Sequence, residues 1–141
     1  MDGQITTTER AATVHAIQEF QRELAKCPQE EVPLIHTFAP GQYARSCFLK
    51  ANMVAVGKIH KHAHIMIMSA GDIAIETENG FERIQGFHVF TSPAGIKRIV
   101  QTFADTILTT VHVTELTEVA AIESEMTVSE DNPFAALECA P

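Results

Sequence analysis

Three histidines spaced two apart, in Gly57-Lys58-Ile59-His60-Lys61-His62-Ala63-His64, are the residues of this chain best placed to do chemistry. In an extended strand, residues two apart point to the same side. His60, His62 and His64 are therefore expected to share one face. Two such imidazoles, with a third ligand from another strand, can hold a Zn, Fe, Mn or Ni ion. His88 and His112 lie in other predicted strands and can supply that third ligand. The candidate metal set is His60, His62, His64 and His112. Two other readings stay open: imidazoles that are hydrogen-bonded or wet inside a barrel without metal, and imidazoles on an outer face in a subunit contact. No GxSxG, Walker loop, HExxH or dinucleotide fingerprint is present, and no catalytic residue is singled out. Arg98 follows a Pro-x-Gly turn and reads either as an anion-binding group in a barrel mouth or as a surface or ion-paired arginine.

The elements that must position these residues are mostly strands. From Leu34 to Thr114 the apolar pattern has a period of two. Strands are expected at 43–50, 53–56, 58–69, 72–78, 81–85, 87–91, 96–101 and 106–114. Turn signals separate them: Pro40-Gly41, Asn52, Ala70-Gly71-Asp72, Asn79-Gly80, Gly86 and Pro93-Ala94-Gly95. Asn79-Gly80 is the strongest hairpin signal, because a type I′ turn needs positive φ at both central residues. Many short strands without βαβ alternation argue for an antiparallel sandwich or barrel. Residues 6–26 read as an amphipathic helix, with a Thr6-x-x-Glu9 capping box and an apolar stripe of Val14, Ile17, Phe20 and Leu24. Residues 116–127 read as a second helix, with Val119, Ile122 and Met126 on one face. The stretch 128–141 has only Phe134 and Leu137 as anchors and reads as a tail that a partner surface would order. The expected organisation is a helical arm (1–30), a β domain (31–115) and an acidic helix plus tail (116–141), forming one compact domain.

Length and charge narrow the function classes. A chain of 141 residues can build a core without disulfides or metal. The three cysteines, Cys27, Cys47 and Cys139, have no CxxC spacing and read as free thiols, with Cys47 a small buried hydrophobe. No apolar run approaches a membrane span, and Met1–Arg10 carries no apolar signal region. All Lys and Arg lie at or before Arg98, and the net charge of −8 resides in the last third. An acidic chain of this kind disfavours direct nucleic-acid binding. Neither a membrane nor a secreted location is expected.

The glycine–HxH–glycine arrangement of Gly57, His60, His62 and Gly71 resembles the first motif of the cupins. Gly86 with Pro93-Ala94-Gly95-Ile96-Lys97-Arg98 is similar to their second. The resemblance covers about residues 40–114. It implies a mainly β, antiparallel jelly-roll (cupin-like) sandwich or barrel, here with an N-terminal helix and a short C-terminal helix plus tail. Two family ligands are replaced. The glutamate position falls on Met66 or Met68, and the second-motif histidine position falls on Arg98, which cannot coordinate a metal. Over its whole length the chain also resembles the jelly-roll cement (decoration) proteins of tailed bacteriophage capsids, a Bordetella phage among them. That resemblance implies a structural virion protein on the capsid exterior, made in the host cytoplasm. It also implies the major capsid protein as partner, a homodimer and no cofactor. The alternative is a metal-dependent cupin enzyme (an isomerase, dioxygenase or lyase on a small acid) with one divalent transition metal on the histidine cluster.

Overall fold

The computed structural model describes residues 7–77, 80–130 and 135–138. The elements run α1 (Thr7–Leu24), β1 (Leu34–Ala39), β2 (Gln42–Leu49), β3 (Met53–Val56), β4 (His64–Ala70), β5 (Asp72–Thr77), β6 (Gly80–Gln85), β7 (His88–Ser92), β8 (Ile99–Thr102), β9 (Thr106–Val113), α2 (Val119–Met126) and β10 (Ala135–Glu138). Two five-stranded sheets form, in the orders β1-β2-β9-β4-β7 and β10-β3-β8-β5-β6, and every pairing is antiparallel. This is the antiparallel two-sheet arrangement that the period-two pattern predicts, in the jelly-roll form that the resemblance to cupins implies.

The alternation places one side of each strand between the sheets. Leu49, Met53, Met68, Ile73, Ile75, Val100 and Leu108 meet there as an apolar core. Each such side chain contributes roughly 1.5–3 kcal/mol by leaving water. Gly71 makes the β4–β5 turn possible. Its φ is +144°, and a Cβ there would lie 2.5 Å from Thr106 Oγ1, so only glycine fits. Ile122 and Met126, one helical turn apart on α2, close over Tyr43 and form a smaller second cluster.

Several expectations need correction. The strand predicted at 58–69 begins only at His64. Residues 57–61 instead run against 126–128: Lys61 N donates to Met126 O at 2.7 Å, and Val128 N donates to Ile59 O at 2.9 Å. The backbone there is satisfied by the C-terminal segment, so it does not extend the β4 ladder. The stretch 128–141 reads from the sequence as a tail that a partner surface would order. Its described part 135–138 pairs with the barrel itself, β10 on β3, from Ala135↔Val56 to Glu138↔Met53. Leu34–Ala39 is a full strand at the edge of the first sheet. Thr77 pairs with Gly80, and Asn79 of the expected turn lies outside the described residues. On α1, Ile17 is buried but Phe20 is 42% exposed, and Gln21 takes the inner position. Thr6 of the capping box and Phe134 lie outside the described residues. No described helix is long and apolar enough to cross a membrane.

Candidate ligand site inside the barrel

Strand alternation carries polar side chains into one end of the barrel. On β2, Arg45 has the same parity as Tyr43, Cys47 and Leu49 and so points between the sheets. On β9, Thr110 and His112 share the parity of Leu108. On β4, His64 precedes Met66 and Met68 on the inner side, where Met68 is fully buried. Of these residues Arg45, Cys47, Leu49, His64, Met66, Leu108 and Thr110 border a cavity of about 120 Å³. A water needs roughly 10–15 Å³ on this measure, so there is room for several waters or a small organic molecule.

His60, His64 and His112 gather at the polar end. Their ring centroids are 4.4 Å (His60–His64), 4.8 Å (His64–His112) and 5.4 Å (His60–His112) apart. The predicted shared face of His60, His62 and His64 does not form, because 57–63 is not a strand. His62 is exposed and contributes only its carbonyl, which meets His64 Nδ1 at 3.2 Å. His88 is exposed at the far end of β7 and lies 3.4 Å from Gly86 O. Of the two candidates for a third histidine, the fold therefore selects His112.

Burial, first of all, holds the clustered imidazoles neutral. For His60 it acts with the neighbouring His64, His112, Arg45 and Lys58 and brings the pKa down to about 3. For His112, burial with His64 and Arg45 brings it down to about 4. His64 is lowered by burial and by Arg98, against the opposing effect of the His62 carbonyl. An aromatic stack extends the cluster outward. Tyr43 lies between His112 (6.0 Å) and His36 (5.8 Å), with its hydroxyl 2.6 Å from His36 Nδ1.

The charged side chains that line the cavity have one sign. Arg45, Lys58 and Arg98 line it, and no described Asp or Glu does. Arg98 is not a surface residue. It is 9% exposed and donates from Nη1 to Glu76 O (2.6 Å), and from Nε and Nη2 to Ser92 Oγ (3.3 and 3.2 Å). Lys58 Nζ is 3.1 Å from Glu123. Arg45 Nε is buried with no hydrogen-bond partner, and so is His64 Nε2. Sequence reasoning passed over Arg45, although its parity with Tyr43, Cys47 and Leu49 was a usable signal.

A buried ion pair braces the segment that carries His60. Lys97 Nζ, wholly buried, is 2.8 Å from Glu130 Oε1 and donates to Gly57 O at 2.7 Å. Burial lowers the Lys97 pKa, and Glu130 opposes that shift. Glu130 also accepts from Gln18 Nε2 at 3.0 Å and from Ile59 N at 3.3 Å. One carboxylate thus joins α1, the His60 segment and the turn before β8.

The donor set does not fit a resident metal ion. Three neutral imidazoles suit a transition metal. Yet His112 Nε2 is engaged with Thr110 Oγ1 at 2.9 Å. Met66 borders the cavity at the position where the resemblance to cupins implies a carboxylate, and the charged side chains that line the cavity are cations. Among the described residues no group of three His, Cys, Asp or Glu is arranged to hold a metal. The expected set of His60, His62, His64 and His112 also loses His62 to solvent.

No protein-family model matches the sequence, and no curated protein matches it. Solved structures do resemble the fold. An ectoine synthase from P. lautus superposes with a TM-score of 0.59 at 12% identity, covering 82% of each chain. The cupin domain of Schizosaccharomyces pombe Cnp3 superposes with a TM-score of 0.50 at 18% identity, covering 72% of this chain and 71% of the other. The chain has a cupin-like jelly-roll fold. These likenesses lend no support to a capsid-cement identity.

Proposed function

We propose that this chain is a cupin whose barrel interior takes a small organic acid, with Arg45 turned to the acid's carboxylate. One observation carries the reading. In a chain of net charge −8, the interior cavity is lined by three cations and no described acid. Arg45 Nε is a buried donor without an acceptor, which costs free energy, and an anionic ligand would supply that acceptor with a bidentate fit. The apolar remainder of the wall suits a short carbon chain. The neutral imidazole of His64 can accept a proton from such a ligand, so isomerase or lyase chemistry is the activity this donor set serves best.

Calorimetric titration with small carboxylic acids and their neutral amides tests the reading. Saturation with an acid at about 100 times its Kd should raise folding stability by about 2.7 kcal/mol. Arg45→Met should weaken every acid and leave the amides unaffected. If amides bind as well as acids, the cationic wall is not the binding determinant and the reading fails.

A second reading, an assembly protein, is favoured by the outside of the first sheet. Two registered rows cross all five strands there: Ile35, Ser46, Thr109, Ile67 and Val89, then Thr37, Ala44, Val111, Ile65 and Thr91. None is charged, and Ile35, Ile65 and Val89 are 51%, 41% and 52% exposed. A solvent-facing antiparallel sheet ordinarily alternates apolar-in with polar-out. A second copy of the chain is the partner such a charge-free face suits, since acidic copies repel elsewhere. Attachment to a major capsid protein, as a cement protein would require, rests on the sequence resemblance alone. Light scattering decides the assembly reading: a dimer that Ile65→Lys converts to monomer supports it, and a wild-type monomer at tens of micromolar sinks it.

A further inference from the structure

The unpartnered nitrogen of His64 sets what the ligand must carry besides its carboxylate. His64 is 7% exposed, and its Nδ1 faces the carbonyl of His62 at 3.2 Å. A carbonyl oxygen only accepts, so Nδ1 is the nitrogen that bears the proton. Nε2 is then a bare lone pair. It is buried, has no hydrogen-bond partner, and belongs to a side chain on the cavity wall. A buried acceptor left unpaired costs about 1–3 kcal/mol. The other cluster members do not repair this. His112 Nε2 is occupied by Thr110, and His60 lies beside His64 as a ring contact. On the same wall Arg45 Nε is a buried donor without an acceptor. The cavity therefore presents one free donor on a cation and one free acceptor on a neutral ring.

We infer that the ligand is a small hydroxy acid, its carboxylate accepting from Arg45 and its hydroxyl donating to His64 Nε2. This rests on the organic-acid reading above and adds the second recognition point. His64 acts here as a specificity residue and not as a metal ligand. A keto acid or a plain acid satisfies Arg45 but leaves His64 Nε2 unpaired. A site built to bond a hydroxyl rejects the analogue that lacks it.

The test uses the full chain and two ligand pairs that differ by one hydroxyl: lactate against propionate, and malate against succinate. Calorimetry should show at least one hydroxy acid binding about tenfold or more tightly than its partner. His64→Phe should erase that ratio while the plain acid still binds. Arg45→Met should weaken both members of a pair and preserve the ratio. Nitrogen-15 NMR of the histidine side chains should find His64 protonated at Nδ1 in the free protein, a readout that needs no variant to fold. Equal binding within both pairs overturns the inference and leaves the organic-acid reading standing. No binding by any of the four acids overturns both. A His64 protonated at Nε2, or near-stoichiometric transition metal by elemental analysis of protein purified without chelators, overturns the role given to His64.

Discussion

The two ends of the barrel interior are built on opposite principles. At one end Leu49, Met53, Met68, Ile73, Ile75, Val100 and Leu108 pack between the sheets as an apolar cluster, of which Leu49, Val100 and Leu108 continue into the cavity wall. At the other end the same strands carry Arg45, His64, Thr110 and His112 inward, beside the buried Lys97–Glu130 pair. The first end supplies stability without specificity. The second gives up packing for polar groups, two of which stay unpartnered. Buried polar atoms left unpaired in an otherwise closed fold point to a ligand, because folding alone gains nothing from them.

The sharpest way to break this contrast is to unpair the polar end. Lys97→Met leaves Glu130 buried without its cation and is expected to cost about 3–5 kcal/mol. The double variant Lys97→Met with Glu130→Leu should recover most of that loss. Urea denaturation of the two variants separates the cost of a stranded charge from the worth of the pair. At the apolar end, Met68→Ala should cost about 2–5 kcal/mol and leave acid binding intact. A Met68→Ala variant that lost acid binding would mean that the two ends are not separable.

Acid should act on the polar end through its imidazoles. The folded-state pKa values of His60 (about 3) and His112 (about 4) lie below the ordinary value of 6.5, and His64 is lowered too. Between about pH 6.5 and 4 the unfolded chain binds more protons than the folded one. Stability is then complete above pH 6.5 and falls as pH drops through that window, by at most about 1.4 kcal/mol per pH unit for each histidine. Denaturation midpoints at pH 7 and pH 4.5 measure this, and a flat profile would show that the imidazoles are not shielded. The smallest effect belongs to His62→Ala. That exposed side chain should change stability by no more than about 0.5 kcal/mol and acid binding not at all.

Local pattern determined much of this protein. The alternation along 43–50 and 106–114, the turn residues Gly41, Asn52, Gly71, Gly86 and Gly95 (all at positive φ), and the cupin-like motifs state the jelly roll directly. These signals are legible because strand parity and turn chemistry depend on neighbours within a few residues. Even Arg45 follows from parity with Tyr43 and Leu49. Which histidines meet is a different matter. His60, His62 and His64 look equivalent along the chain, and only the pairing of 57–61 with 126–128 turns His62 to solvent and brings His60 to His112. Likewise nothing local to Lys97 announces Glu130, which arrives from far along the chain to neutralise it. Tertiary structure alone decided these outcomes, because each depends on a contact between distant segments whose strength comes from shared burial rather than from any local preference of the residues involved.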